Sequence, residues 1–217
     1  TTLRLTQALP DSEQRNACRL VALSSLLNRG SWRVNIGREA LEEHFEEAQQ
    51  LLKASGDANL AMQTASGYAV SLGMSHGDVE TWGRLIDRAM DEWPEGIDKE
   101  MYLPSRSANQ GYSCYSRGLL ALSHQAYHAG YAGAAGDYEL GRLSAGFSVI
   151  GQSIACDPMI QGLRGTLQAG ISELIANHEQ LRDDGFVEES LWAAANLAHL
   201  CAVAGSTLDT DSPLAPL

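Results

Sequence analysis

The chain has 217 residues, of which 44% are apolar and 6% are aromatic, and its formal net charge is −12. A chain of this length can bury a hydrophobic core without disulfides or metals, and its ordinary apolar share excludes wholesale disorder. The negative field repels polyanions and no run of Lys or Arg interrupts it, so nucleic acid is not an expected partner. No stretch is long and apolar enough to suggest a membrane span.

The four cysteines, Cys18, Cys114, Cys156 and Cys201, stand singly along the chain. No CxxC pair or metal-ligand spacing connects them. Cys156 and Cys201 have apolar neighbours, which is typical of small buried thiols. The first residues also lack the basic-then-apolar pattern of a secretory signal. We therefore expect a reduced, cytoplasmic protein, and no cofactor or metal is predicted.

The spacing of apolar residues predicts an all-α fold of about eight helices in stacked antiparallel hairpins, an α-solenoid. A polar lead-in over 1–12 precedes a single helical domain over 13–204, and a flexible tail covers 205–217. Residues 94–111 lack the helical period, and we predict a long connection there. Helices are predicted over 13–28, 37–53, 61–72, 79–93, 112–131, 137–155, 159–182 and 186–204.

Two of these segments carry the most regular apolar stripes, and both stripes predict core faces. Proline at 158 is predicted to end the helix over 137–155, since proline cannot continue a helical hydrogen-bond ladder. The stripes consist of Leu41, Phe45, Ala48 and Leu52 in the helix predicted over 37–53, and of Val79, Trp82, Leu85, Ile86, Ala89, Met90 and Trp93 in the helix predicted over 79–93.

A repeated Gly-Asp pair is the most specific pattern in the sequence. The pair at 77–78 recurs at 136–137, and a tyrosine stands nine residues before each glycine, at Tyr68 and Tyr127. Glycine can end a helix in the left-handed conformation, and aspartate can cap the helix that follows. The repetition predicts two equivalent corners in a stack of helical hairpins. The alternative is that Gly-Asp is simply a common helix–helix turn.

These corners and the helices around them resemble degenerate tetratricopeptide-type repeats of bacterial regulatory proteins, over roughly 15–160. The resemblance is carried by the segments 44–57, 67–78 and 136–158, although the two corners are 59 residues apart. It implies a protein-binding groove and no catalytic residues. The first helix of each hairpin would line that groove, with the side chains of Asn59, Gln63, Tyr68, Tyr127 and Tyr131.

The leading functional hypothesis is a non-enzymatic interaction or sensor module that binds a peptide, a protein segment or a second copy of itself. Residues 106–117 mix planar hydrogen-bonding groups with tyrosines, which suits recognition of a peptide or ligand. The alternative for this segment is a polar loop with tyrosines packed beneath it. The candidate binding residues are Tyr68, Asn109, Tyr112, Tyr115, Arg117, Tyr127 and Tyr131.

Two alternative functions remain open. Arg117 and His124 match the loose arginine–histidine spacing of helical, HEPN-type ribonucleases, in which arginine stabilises phosphate charge and histidine transfers a proton. Arg38 and His44 match the same spacing, so the pattern has little specificity. The other alternative is a self-assembling structural protein, because Ala- and Gly-rich helices pack closely between subunits.

Histidines and glutamates provide two incomplete metal-binding patterns. His124 and His128 are four residues apart, a spacing that places two imidazoles on one helix face, but no third ligand is evident. An acidic group surrounds His44, yet Leu41 stands where the Glu-x-x-His pattern of di-iron proteins requires glutamate. We interpret that group, which comprises Glu39, Glu42, Glu43, Glu46 and Glu47, as a solvated helix face.

Overall fold

The computed structural model describes residues 2–30, 36–91 and 98–205, and every regular element in those ranges is helical. The all-α prediction is therefore confirmed. None of the described helices is both long and apolar enough to cross a membrane. The helices are α1 (Thr2–Gln7), α2 (Glu13–Ser25), α3 (Arg38–Ser55), α4 (Ala58–His76), α5 (Val79–Asp91), α6 (Leu103–Ser116), α7 (Leu120–Gly133), α8 (Val149–Gln161), α9 (Leu167–Asp183) and α10 (Val187–Val203).

Consecutive helices pack against one another along the chain, from α4 with α5 through to α9 with α10. Wider helical turns extend α2 over Leu26–Gly30 and α8 over Gly162–Thr166. One hydrophobic cluster joins α2, α3 and α4, and another joins α7 to α8, α9 and α10. Both predicted stripes are confirmed as core faces, since the buried residues include Leu41, Phe45, Ala48, Trp82, Ile86 and Met90.

The N-terminal part differs from the prediction at one point. Residues 1–12 were expected to be a polar lead-in, but α1 lies within them. Arg19 of α2 holds that helix by donating to the Leu3 carbonyl at 3.4 Å, and it also pairs with Glu47 of α3. The predicted tail beyond residue 205 lies outside the described residues.

The predicted connection over 94–111 is wrong for its second half, because α6 begins at Leu103. Pro104 stands in the first turn of α6, where a backbone N–H would have no intrahelical acceptor, so proline costs no hydrogen bond there. The predicted helix over 112–131 is instead the end of α6 and the whole of α7. Gly118, at a φ of +74°, separates the two helices. Residues 92–97 lie outside the described ranges.

The predicted helix over 137–155 is also wrong, because α8 begins only at Val149 and runs through Pro158 to Gln161. Proline lacks the N–H that would bond the carbonyl four residues earlier. That carbonyl belongs to Ile154, and Asn177 of α9 donates its Nδ2 to it at 2.8 Å. A side chain from another helix therefore restores the bond that Pro158 removes.

The two Gly-Asp corners are not equivalent. Gly77 ends α4 in the left-handed conformation, and Asp78 caps α5 by accepting from Thr81 N at 3.3 Å. Gly136 also has a positive φ of +86°, but Asp137 accepts from Glu139 N in a tight turn and no helix begins until Val149. The first predicted corner is confirmed, and the second is wrong.

Removing the Asp78 cap should weaken the α4–α5 corner. We expect Asp78→Ala to lower the free energy of unfolding by about 1 kcal/mol at pH 7. The pKa of the Asp78 carboxyl is lowered chiefly by hydrogen bonds from Thr81, with a smaller contribution from Arg38. A lowered pKa means that the stabilisation is present above the unfolded-state pKa and is lost as pH falls through the folded-state value.

Urea denaturation at pH 7 and at pH 3 would measure this effect. The difference between wild type and Asp78→Ala should shrink at the lower pH. Asp78→Asn, which retains an oxygen acceptor, serves as the control and should lose less stability at pH 7 than the alanine variant. Equal stability of wild type and Asp78→Ala at pH 7 would contradict the capping role.

Candidate functional site

A cleft of about 280 Å³ opens between the N-terminal helices and α8 and α10. Its volume is near the lower end of ligand pockets, which commonly span roughly 300–1,000 Å³. Seven separate segments contribute to it. The lining residues are Asn28, Ser66, Gly67, Val70, Met74, Trp82, Asn109, Tyr112, Ala145, Gly146, Phe147, Gln152, Cys156, Glu188, Trp192, Ala195 and Asn196.

Two aromatic pairs contribute to the lining of the cleft. Trp82 of α5 and Tyr112 of α6 lie with ring centroids 5.0 Å apart. Phe147, in the loop before α8, and Trp192 of α10 form an edge-on pair with centroids 5.9 Å apart. These rings give a bound group flat apolar faces as well as the negative electrostatic potential of aromatic faces.

Three asparagines of the cleft donate their amide nitrogens to backbone carbonyls. Asn28 Nδ2 donates to Ala145 O at 3.3 Å, Asn109 Nδ2 to Ser105 O at 2.9 Å, and Asn196 Nδ2 to Ala155 O at 2.9 Å. A backbone carbonyl can only accept, so each contact determines which end of the amide is nitrogen. The other end of each amide is an oxygen, which is an acceptor.

Gln152 of α8 supplies a fourth carboxamide, and it is only 7% exposed. Its Oε1 is buried and receives no hydrogen bond from any described residue, and the same absence applies to the donor Trp82 Nε1. Buried polar atoms in folded proteins nearly always have partners. Any partner for these two atoms must therefore come from outside the described residues.

Local backbone packing places Asn28 at the cleft. Helix α4 passes so close to the wide turn after α2 that a Cβ at Gly67 would lie 2.4 Å from Asn28 N. Gly146 approaches from the other side at a φ of +85°, and a Cβ there would meet Asn28 Oδ1 at 2.5 Å. Glycine at both positions is therefore needed for this geometry.

The predicted binding residues do not form one site. Asn109 and Tyr112 line the cleft, whereas Tyr115 is not among its lining residues and has its ring 5.8 Å from that of Tyr112. Arg117 is exposed at the end of α6, and Tyr131 is 49% exposed on α7.

The two tyrosines that precede the Gly-Asp pairs are core residues. Tyr68 is 8% exposed and stacks on Phe45 with ring centroids 3.9 Å apart. Tyr127 is 1% exposed and packs in the C-terminal hydrophobic cluster. Asn59, also expected in the groove, accepts a hydrogen bond from Tyr102 at 3.1 Å. The groove predicted from the repeat is therefore not formed by these residues.

The cleft residues that were not predicted as binding residues include Asn28, Trp82, Gln152, Trp192 and Asn196. These five come from four different helical segments, and only Trp192 and Asn196 share a helix, so no motif or spacing could connect all five. The available signal was a carboxamide within an otherwise apolar stretch, as at Gln152 and Asn196, because a polar group that enters a core requires partners.

His124 forms the most distinct polar contact outside the cleft. Its Nδ1 lies 2.8 Å from a carboxylate oxygen of Asp157, and Gln161 also donates to that carboxylate, at 3.1 Å. The His128 ring is 6.3 Å from the His124 ring. Across the described residues, no group of three His, Cys, Asp or Glu side chains is arranged to hold a metal ion.

The Cys156 thiol lines the cleft but should be unreactive. Burial raises the pKa of Cys156 to about 11, although hydrogen bonds with Tyr127 and Asn196 act in the opposite direction. At pH 8 we expect iodoacetamide to alkylate the exposed Cys18 and to spare Cys156, because only the thiolate reacts. Peptide mass spectrometry would measure both sites, with urea-unfolded protein as the control. Equal alkylation rates in the native protein would contradict this expectation.

Comparisons with protein-family models, with curated proteins and with solved structures found no match to this chain.

Proposed function

We propose that the protein is a non-enzymatic binding module, built as a stack of antiparallel helical hairpins, whose cleft receives part of a peptide or protein partner. The observation that carries this proposal is a cleft that combines four carboxamides with two aromatic pairs. Aromatic faces provide contact area and amides provide directional hydrogen bonds, a combination typical of recognition sites. The packing of each helix from α4 onward on the next along the chain supports the hairpin stack.

The chemistry of the cleft favours binding over catalysis. Covalent catalysis needs a nucleophile activated by a neighbouring base or by a lowered pKa. The Cys156 thiol has a pKa raised to about 11, and no histidine or lysine is among the described lining residues. The lining therefore offers hydrogen bonds and ring contacts and lacks an activated nucleophile.

The surroundings of the cleft favour a partner larger than a small molecule. Met74, at the edge of the cleft, is 53% exposed. Helix α10, which contributes Glu188, Trp192 and Asn196 to the lining, also has exposed apolar side chains, with Val187 at 61% and Leu191 at 48%. Exposed apolar side chains next to a recognition cleft are typical of protein-binding surfaces. A peptide could insert one side chain and cover these residues with its flanks.

Selection of peptides from a displayed random library would test the proposal. We expect enriched peptides to bind the wild-type protein and to lose at least tenfold in affinity with Asn196→Ala. Asn177→Ala is a matched control, since Asn177 also donates to a carbonyl of α8, at 2.8 Å, but does not line the cleft. Failure to enrich any peptide, or equal binding to both variants, would refute binding at the cleft.

A second candidate function is RNA cleavage by His124, and the contact with Asp157 favours it. An Nδ1–H that donates to a carboxylate leaves Nε2 as a base, a common arrangement in acid–base catalysis. In this alternative Arg117 would hold the phosphate. Cleavage of single-stranded RNA that disappears in His124→Ala and survives in His128→Ala would support it. No cleavage, or equal cleavage by wild type and His124→Ala, would eliminate it.

A further inference from the structure

We infer that the group bound in the cleft is a primary carboxamide, presented by a glutamine or asparagine side chain of the partner. This inference rests on the proposed function and adds the chemical class of the anchoring group. It follows from an unpaired carboxamide within the lining, from the unpaired acceptors and donor of other lining residues, and from the edge geometry of amides.

A buried glutamine of the lining has no hydrogen-bond partner for its side chain among the described residues. Gln152 is 7% exposed, and its buried Oε1 has no partner. Its Nε2 makes no hydrogen bond with a described residue either. Because both ends are unpaired, the carboxamide offers donors and an acceptor whichever way it is turned. Burying an unpaired amide is costly, so a bound group that pairs with it would be favoured.

Other residues of the lining add acceptors and one donor. The nitrogens of Asn109 and Asn196 donate to backbone carbonyls, and no described residue donates to either Oδ1. Trp82 Nε1, which can only donate, is buried without a partner. The unpaired groups therefore include acceptors that need an N–H or O–H and a donor that needs a lone pair. A ligand that completes both kinds must carry a donor and an acceptor together.

A carboxamide meets this requirement better than a charged group or a hydroxyl. It has two N–H donors and a carbonyl oxygen with two lone pairs. A guanidinium or ammonium group has no acceptor for the Trp82 N–H, and a carboxylate has no donor for the oxygens of Asn109 and Asn196. A hydroxyl has a single donor. The flat amide also suits the ring faces of the two aromatic pairs.

The edge geometry of amides selects a side chain of the partner over its backbone. A primary carboxamide has an N–H and a carbonyl oxygen on one edge, so it can form two parallel hydrogen bonds with the carboxamide of Gln152. Rotation about the side-chain bonds of Gln152 turns its buried Oε1 towards such a group. A trans peptide group directs its N–H and its carbonyl to opposite sides, so it can form only one of the two bonds.

Titration of the full chain with capped amino acids would test the inference. The ligand is N-acetyl-glutamine methylamide. The corresponding glutamate γ-methyl ester is the matched control, because it keeps the length and the carbonyl but has no side-chain donor. The glutamate and arginine counterparts and adenosine, whose base also has a donor and an acceptor on one edge, are further probes. Intrinsic fluorescence reports binding, since Trp82 and Trp192 line the cleft.

We expect the glutamine probe to bind at least about tenfold more tightly than each of the others, the effect of one or two hydrogen bonds. Gln152→Met removes the carboxamide and keeps an unbranched side chain of similar size. This variant should bind the glutamine and ester probes with affinities within about twofold of each other. Asn177→Ala should keep the full preference, since Asn177 also donates to a carbonyl of α8 but does not line the cleft.

The stability of Gln152→Met is a second readout that does not depend on a ligand. Because no described residue pairs with the Gln152 carboxamide, its removal should leave the urea midpoint equal to or above that of wild type. A clearly lower midpoint would show that the amide has an internal partner, and would overturn the inference. An undiminished preference of Gln152→Met for the glutamine probe would overturn it as well.

The remaining outcomes separate the inference from the proposed function. Selected peptides that bind at the cleft without glutamine or asparagine would overturn the carboxamide anchor and leave the peptide-binding function intact. A capped glutamine that binds with the expected preference, while no peptide is enriched, would support the carboxamide but overturn the peptide as its source. Equal binding of glutamine and the ester, or tighter binding of glutamate, arginine or adenosine, would overturn the anchor itself.

Discussion

Replacing Gly67 by alanine should destabilise the protein by about 3 kcal/mol, at the upper end of the usual effects of overpacking. The added Cβ would lie 2.3 Å from Asn28 Cα and 2.5 Å from the carbonyl carbon of Leu27. These are backbone atoms, so no side chain can rotate away. The helix α4 and the turn after α2 must separate to relieve the contact, which opens the N-terminal core.

Urea denaturation followed by circular dichroism would measure the change. Gly37→Ala is the control, because a Cβ at Gly37 meets no atom within 4 Å and its φ of −58° suits any residue. Gly37 is the N-cap of α3, where alanine is only moderately unfavourable, so we expect a loss of at most about 1 kcal/mol. Similar losses for the two variants would contradict the role assigned to this close approach.

Gly67→Ala should also impair the cleft, because Gly67 and Asn28 both line it. Under conditions where the variant is still folded, we expect weaker binding of any cleft ligand. Gly37→Ala should bind normally, because Gly37 is not among the described residues that line the cleft. Stability and binding would then decline together at Gly67, since one contact between two backbones supports both.

Replacing Tyr127 by alanine should cost about 3–5 kcal/mol, the usual range for removing a large buried aromatic side chain. Tyr127 is 1% exposed, and its ring lies directly over Gly111, where an added Cβ would come within 2.9 Å of it. Truncation therefore leaves a cavity between α6 and α7 that the closely packed helices can fill only by moving.

Two further variants would separate packing from hydrogen bonding. Tyr127→Phe should lose no more than about 1 kcal/mol, because the hydroxyl's neighbour is the Cys156 thiol, a weak partner. Tyr131→Ala, four residues later on α7, removes a tyrosine that is 49% exposed and should change stability much less. Comparable losses at Tyr127 and Tyr131 would contradict the buried position of Tyr127.

The helices with a regular apolar stripe were predictable. In α3 and α5, every third or fourth side chain enters the core, so the spacing of apolar residues within each helix is enough to predict its buried face. The corner at Gly77 was predictable for a similar reason, because a left-handed glycine followed by a capping aspartate is a local device. The tetratricopeptide resemblance stays a prediction.

Elements whose stability depends on distant partners were not predictable. Helix α6 buries Ser105, Asn109 and Ser113 instead of an apolar stripe. The Ser105 hydroxyl, for example, bonds that of Ser144 at 2.8 Å. In the segment before α8, Gly141 and Gly146 adopt positive φ, and Leu143, within the helix predicted over 137–155, is 71% exposed. The spacing of residue types along the chain does not reveal these contacts, because they join residues that are distant in sequence.

The amino-acid sequence by itself determined the helical class, the apolar faces of α3 and α5 and the corner between α4 and α5, because each depends on residues within a few turns of one another. Only the tertiary structure decided where α6 and α8 begin and how α8 passes through Pro158. It also brought Asn28, Asn109 and Asn196 to one cleft. Each amide is oriented by a backbone carbonyl that the tertiary structure places beside it. The hydrogen-bonding groups that the cleft presents therefore depend on the fold.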